Sequence, residues 1–288
     1  MPDCTPLIAP LLALCGSIPL DCLQPRFMRQ ALIAVLFLCP MTAALGVQVV
    51  HFRMAFFSDA IGHSAFAGAA LGLMLAIDPL LVMPVFGVLV GLAVMAVQRR
   101  AALSSDAAIG IVFSAVVAFG LAAVSRAPGM ARTVQRFLYG DILTISANEL
   151  AMLALLGLAV LAFQFAGYNR LLLIAINPIM ARASGVRVAL WQYLFAGLTA
   201  LAVMFAVRAV GVLLVTALLI VPAAAARHFA RTAAGMFWWA QGISATSGIT
   251  GLLLSAQPWL STASGATIIL VTCLWFALGA ILRRNAVE

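Results

Sequence analysis

Nine apolar segments follow one another along the chain, and each is long enough to cross the hydrocarbon core of a membrane. A spanning helix needs about 20 predominantly apolar residues, because the core is about 30 Å thick and a helix rises about 1.5 Å per residue. The predicted spans are 30–50, 59–77, 80–98, 106–124, 148–165, 188–207, 210–226, 234–254 and 266–282. The sequence therefore predicts an all-α protein, a polytopic membrane helical bundle of about nine transmembrane helices.

The composition excludes a soluble fold and two classes of function. Hydrophobic residues make up 65% of the 288 residues and only 8 residues are acidic, too few to surround one soluble core with a solvated surface. All 16 basic residues are arginine. A Walker A loop requires a lysine, so the chain is not a conventional P-loop ATPase. The clustered basic and aromatic residues of a nucleic-acid-binding face are absent, so we expect no nucleic-acid partner.

The arginines predict the orientation, because cytoplasmic loops carry an excess of positive charge. With the N-terminus outside, ten arginines fall on the cytoplasmic side and six on the outer side. The inner set is Arg53, Arg99, Arg100, Arg170, Arg182, Arg187, Arg227, Arg231, Arg283 and Arg284, and the outer set is Arg26, Arg29, Arg126, Arg132, Arg136 and Arg208. This bias favours an odd number of spans and a cytoplasmic C-terminus.

Asp59 and His63 stand four residues apart in the second apolar segment. On a helix this spacing places both side chains on one face, about one turn apart. Ionisable residues inside a span are costly and usually face a cavity or pathway. The pair could bind a divalent cation, relay protons, or form a neutral hydrogen-bonded pair between helices, and the spacing alone does not choose among these roles.

Other polar features add little to the pair. Asp106 and Asp141 are the acidic residues to consider next, but we expect Asp106 to act as a helix N-cap following Ser105, and Asp141 to be a solvated loop charge. The five cysteines have no C-x-x-C spacing, so they predict neither a metal site nor a redox pair.

Two later segments have recognisable patterns. RLLLIAINPIMARASGVRV, between the fifth and sixth spans, mixes leucines with arginines around Pro178, and predicts a short amphipathic helix at the cytoplasmic surface. The seventh span contains Pro222, which predicts a kink because proline frees a backbone carbonyl.

Five segments together resemble the integral-membrane permeases of ABC transporters that import zinc and manganese. They are RMAFFSDAIGHSAFAG, AIGIVFSAVVAFGL, RFLYGDILTIS, ARASGVRV and VGVLLVTALLIVPAAAARHFART. The resemblance runs from about Arg26 to Leu282, and the last segment and the GD of the third look most like the zinc branch. It implies a transmembrane domain over residues 26–288, preceded by an N-terminal extension, residues 1–25, of unknown role.

The resemblance implies a function and a set of partners. Such a permease is not an enzyme: it works in the bacterial cytoplasmic (inner) membrane, among lipids, as a homodimer docked on two copies of an ATP-binding subunit. A periplasmic or extracellular zinc-binding protein delivers the metal. Zinc is then the transported substrate, and no cofactor is bound permanently. Manganese or iron is the alternative substrate, and a cation/proton antiporter and a membrane enzyme are the rival classes.

The resemblance also assigns roles to residues. Asp59 and His63 match the aspartate and histidine that coordinate metal in the translocation pathway. Arg182, Ala183 and Gly185 fall in the segment that couples the permease to its ATPase.

The coupling segment departs from the family pattern at two positions. Asn177 and Met180 stand where an acidic residue is common. We therefore expect this contact with the ATPase to keep its location and to differ in detail.

Overall fold

The computed structural model describes residues 24–101, 103–126, 142–257, 259–260 and 262–285, and only the backbone of residues 144 and 283–285. In these ranges the chain forms ten α-helices and one 3₁₀ turn, Ile142–Thr144, and no strand. The helices are α1 Arg26–His51, α2 Phe57–Met74, α3 Pro79–Arg100, α4 Ser105–Ser125, α5 Ala147–Ile176, α6 Pro178–Ala183, α7 Val188–Val210, α8 Val212–Phe229, α9 Ala233–Ser255 and α10 Ser264–Asn285. The predicted all-α membrane bundle is confirmed.

A long helix lies at each of the nine predicted spans. Within the described residues, seven helices are long and apolar enough to cross a membrane. These seven are α1, α3, α4, α5, α7, α8 and the Ser264–Leu282 part of α10. The two others are α2, with Asp59 and His63, and α9, with several serines, threonines and glycines. In α2, 12 of 18 residues are buried, so packing against other helices compensates for its lower hydropathy.

Some predicted helix boundaries were wrong. The fifth span was placed at 148–165, but α5 continues to Ile176 and is therefore about 45 Å long, longer than the hydrocarbon core. The segment RLLLIAI thus belongs to α5, and the separate surface helix is only the six residues of α6. Helix α8 continues through Pro222, which is buried.

Short polar side chains begin several helices by accepting hydrogen bonds from the free backbone N–H groups of the first turn. Ser104 caps α4 by accepting from the Ala107 N–H at 3.3 Å, so the predicted cap role of Asp106 was wrong. Ser146 and Glu149 accept from each other's backbone N–H at 3.3 and 3.0 Å, a capping box at the start of α5.

The chain divides into two compact units. One is drawn from Met1–Val47, Asp141–Leu161 and Ala217–Glu288, and the other from Gln48–Gly140 and Ala162–Thr216. In the first unit α9 packs against α10 and against α1, where the Ser244 hydroxyl donates to the Cys39 carbonyl oxygen at 3.1 Å. The Gln241 amide donates to the Pro40 carbonyl oxygen at 3.2 Å.

In the second unit α2 packs against α3, α4 and α7. Gly68 and Gly72 of α2 face α3, where an added Cβ would lie 3.1 Å from the Met83 Cα and 2.9 Å from the Pro79 Cα. Glycines therefore let α3 lie close against α2, as small residues do in membrane helix pairs. The candidate metal residues belong to this unit.

Candidate metal site

Asp59 and His63 lie on one face of α2, as their spacing predicts. The Asp59 Oδ1 and His63 Nε2 atoms are 3.8 Å apart. Two ligands of a tetrahedral zinc ion lie about 3.4 Å apart, because the metal–ligand bonds are about 2.1 Å long. A small rotation of either side chain would therefore allow one ion to contact both atoms.

Both side chains are accessible for binding. The His63 side chain is 46% exposed and the Asp59 side chain 41% exposed. Within the described part of the chain, neither side chain forms a hydrogen bond, and the contact between the two at 3.8 Å is their ion-pair distance. The His63 ring also lies edge-on to Phe113 of α4, with the ring centroids 5.6 Å apart, which limits where the imidazole can turn.

The face of α2 beside this pair is closely packed. A Cβ added at Gly62 would lie 2.8 Å from the Val212 Cγ1 atom at the start of α8. Phe57, at the first position of α2, is completely buried, and its ring lies beside Gly91 of α3. Neighbouring helices therefore hold the backbone that carries both candidate ligands.

The described residues supply no third ligand within reach. Among them, no group of three or more His, Cys, Asp or Glu side chains comes together. Asp106 is exposed in the first turn of α4, and Asp141 lies outside the described residues. Within the described residues the candidate site therefore comprises Asp59 and His63.

The predicted coupling residues lie on α6 and the turn after it. Asn177 caps α6, with its side-chain oxygen accepting from the Ile179 and Met180 N–H groups at 2.9 and 3.1 Å. Asn177 therefore has a structural role at a position where an acidic residue is common in the family. Arg182 and Ala183 are exposed at the end of the helix.

Gly185 ends α6 in a left-handed conformation, with φ +78°. The Gly185 N–H donates to the Arg182 carbonyl oxygen at 3.0 Å, and the Val186 N–H donates to that of Ala181 at 2.9 Å. This pair of bonds is a Schellman motif, in which glycine is favoured because other residues are strained there. The turn presents Gly185 at the surface, with no atom within 4 Å of an added Cβ.

Residues 24–283 match the ABC 3 transport family. The chain belongs to this family. The permease is 32% identical over 255 residues to the high-affinity zinc uptake system membrane protein ZnuB of Haemophilus influenzae, covering 88% of this chain and 97% of ZnuB. It is 31% identical over 256 residues to the manganese transport system membrane protein MntC of Halalkalibacterium halodurans, covering 89% of this chain and 87% of MntC.

A solved structure shares the fold. A chain of PsaBC from Streptococcus pneumoniae in complex with Fab superimposes on the permease with a TM-score of 0.73 and 27% sequence identity. The match covers 94% of the permease and 95% of that chain. It agrees with the helical fold predicted from the sequence.

Family membership confirms several predictions. The permease is the multi-pass inner-membrane subunit of an ABC importer for metal ions of the zinc and manganese class. ATP hydrolysis belongs to a separate subunit, and a metal-binding protein is the other general kind of partner. The permease is therefore one of the ATP-driven importers and not an antiporter or a membrane enzyme.

Sequence reasoning overlooked two aromatic residues of this unit. Phe113, which contacts His63, lies in a segment whose family resemblance was recognised, but an apolar side chain gives no chemical signal of a site. Phe52, in the loop before α2, gives no such signal either, and it packs against a buried cluster of Ile174, Ala181 and Val188. Only their contacts with residues distant in the sequence distinguish these two from other apolar residues.

Proposed function

We propose that the permease imports zinc, with Asp59 and His63 coordinating the ion in the translocation pathway. The observation that carries this proposal is the 3.8 Å separation of two ligand atoms, on half-exposed side chains on one face of a membrane helix. One imidazole nitrogen and one carboxylate oxygen suit zinc, which takes nitrogen and oxygen ligands in roughly tetrahedral sites. The 32% identity to ZnuB, a zinc uptake protein, is in keeping with the same metal.

The exposure of the pair supports a homodimer. A carboxylate and an imidazole on an apolar span are costly where they meet lipid, so they face a cavity or a protein surface. A second permease copy on this face would cover both side chains and enclose a pathway between the subunits. Water or side chains of that copy would complete the four ligands that zinc prefers.

The coupling surface supports the assembly with ATPase subunits. We place the N-terminus outside, so that α6 lies at the cytoplasmic face with Arg182, Ala183 and Gly185 against an ATP-binding subunit. One such subunit docks on each permease, two in all, and a zinc-binding protein delivers the ion from the opposite side. Exposed Ile179 and Met180, 73% and 60% accessible, add an apolar contact on α6.

Manganese is the second candidate, because MntC is 31% identical and a manganese transport protein. Manganese would use the same two side chains with harder oxygen ligands around it. Proteoliposomes containing the permease, its ATPase and its binding protein decide between the metals. We expect ATP-dependent uptake of radioactive zinc, inhibited less by equimolar manganese than by equimolar unlabelled zinc.

Asp59→Ala and His63→Ala test the site in the same assay. Each removes one of two protein ligands, so we expect uptake to fall at least about 100-fold while membrane insertion is retained. Asp106→Ala is the matched control, since Asp106 is an exposed carboxylate on a neighbouring helix, and it should transport normally. Normal uptake by both Asp59 and His63 variants would refute the assignment of the site.

A further inference from the structure

We propose that Phe52 is the positioning residue that transmits movement of α6 to α2, the helix that carries Asp59 and His63. Phe52 is the first residue of the loop between α1 and α2, and its side chain is partly buried. This inference deepens the proposed function and rests on it, because it concerns how ATP hydrolysis reaches the metal site.

Phe52 packs against a buried cluster that includes Ala181 of α6, the helix proposed to contact the ATPase. Ile174 of α5, Ala181 of α6 and Val188 of α7 form a buried apolar cluster, and Phe52 packs against it. Ala181 is the one completely buried residue of α6, and its neighbours in α6 are exposed. Displacement of α6 by a docked subunit would therefore press on the cluster that holds Phe52, because packed interiors are hardly compressible and transmit strain.

A second contact fixes Phe52 from the side of α7. The rings of Phe52 and Phe195 lie 5.3 Å apart at 34°. The Phe52 carbonyl oxygen also accepts a hydrogen bond from the Ser105 hydroxyl at 3.4 Å, at the start of α4. Contacts with α7 and α4 thus hold Phe52, and a displacement of Phe52 would also displace these neighbours.

The path from Phe52 to the metal site is short and stiff. The Arg53 N–H donates to the Val50 carbonyl oxygen at 3.2 Å, and the Met54 N–H donates to that of Val49 at 3.0 Å. This Schellman motif ends α1 with Arg53 left-handed, at φ 54°. Met54 is buried and the Phe57 N–H bonds to its carbonyl oxygen at 3.0 Å, so the turn leads directly into α2.

The positive φ of Arg53 indicates that packing of the surrounding residues determines the conformation of this turn. A non-glycine residue at positive φ costs roughly 1–2 kcal/mol, and it persists only where the surrounding structure determines it. Arg53 is exposed, so its side chain is not what holds the conformation. The anchors are its neighbours, the partly buried Phe52 on one side and the buried Met54 on the other. Only six residues separate Phe52 from Asp59, and four of them, residues 53–56, precede α2.

Phe56 provides a matched control in the same loop. It is the same residue type, four positions from Phe52, and its side chain is 64% exposed. If Phe52 serves only to add apolar surface near the membrane, replacement of Phe52 and replacement of Phe56 should have the same effect on transport and ATP hydrolysis. If Phe52 transmits movement, only its replacement should separate ATP hydrolysis from transport.

The first measurement is the number of zinc ions transported per ATP hydrolysed in proteoliposomes of the full complex with its binding protein. We expect Phe52→Ala to lower this ratio about 3- to 30-fold, the range for substitutions within a coupled network, while the ATPase subunit stays bound. Phe52→Leu, which keeps an apolar side chain, should recover most of the ratio, and Phe56→Ala should match the wild type. A wild-type ratio for Phe52→Ala would overturn the proposal, as would loss of the ATPase subunit from both Phe52 variants.

The second measurement does not depend on which substrate is carried. A cysteine introduced by His63→Cys, in a chain whose own cysteines are replaced by alanine, reports on α2 through its rate of reaction with a thiol reagent. We expect ATP to change that rate at least about threefold when Phe52 is present, and to leave it unchanged in Phe52→Ala. An equal ATP response in both backgrounds refutes the role of Phe52. Failure of the wild-type complex to carry zinc or manganese refutes the proposed function separately.

Discussion

Replacement of Gly62 by alanine should disturb the proposed metal site without changing either proposed ligand. A Cβ at this position would lie 2.8 Å from the Val212 Cγ1 atom, whereas apolar carbons rest about 3.5–4.0 Å apart. The other two near atoms of Val212, Cβ and Cγ2, would be at an ordinary 3.7 Å. The overlap therefore concerns one methyl group, and relieving it requires either rotation of Val212 or a retreat of α2 by about 0.7 Å.

The energetic cost combines two opposing effects. Overpacking a closely packed helix contact costs about 1–3 kcal/mol, and alanine gains about 1 kcal/mol over glycine inside a helix. We therefore expect Gly62→Ala to destabilise the permease by about 0–2 kcal/mol, which leaves it folded and inserted. Rotating Val212 would not avoid the cost, because a strained rotamer costs about 0.5–1.5 kcal/mol.

The effect on transport should be larger than the effect on stability. His63 is the next residue along α2, and metal–ligand bond lengths lie within about 0.2 Å of their ideal values. A shift of α2 by about 0.7 Å exceeds that range, so we expect the zinc concentration for half-maximal uptake to rise about 10- to 100-fold.

Uptake of radioactive zinc over a range of concentrations, with thermal stability of the purified complex, provides the assay. Gly110→Ala on α4 is the matched control, because no atom lies within 4 Å of its added Cβ, and it should transport normally. Adding Val212→Ala to Gly62→Ala removes the overlapping methyl and should restore uptake. Wild-type zinc dependence in Gly62→Ala, or no recovery in the double variant, would show that Val212 does not position this part of α2.

Two further predictions concern the coupling surface. Gly185→Leu should cost about 1–2 kcal/mol through its left-handed backbone and weaken binding of the ATPase subunit in a pull-down, whereas Gly185→Asn, which tolerates this conformation, should bind more nearly normally. Equal binding by both variants would contradict this reasoning. Asn177→Ala should cost about 0.5–2 kcal/mol by removing the acceptor for two N–H groups and should also lower ATPase binding. Asn177→Asp keeps the acceptor, so a defect equal to that of alanine would show that the cap is not what matters.

The sequence determined the class of the protein and the shared helix face of its two proposed metal ligands. Long apolar segments predict a membrane helix bundle whatever the packing of the helices, because the thickness of the hydrocarbon core sets the length of a span. Asp59 and His63 share a face because the helical period is a local property of four residues. The capping box of Ser146 and Glu149 was likewise present in the sequence as S-x-x-E, although the helix it begins was predicted too short.

Only the tertiary structure decided which distant segments meet. Neither the composition nor the helical periodicity of the sequence predicts that Val212 packs against Gly62, that Phe113 lies beside His63, or that Phe52 packs against the cluster under α6. Apolar residues are interchangeable in a hydropathy pattern, but in a packed bundle each contact depends on the rotation and depth of both helices. The proposed pair of ligands could therefore be identified from the sequence, whereas the packing that holds their helix and links it to α6 could not.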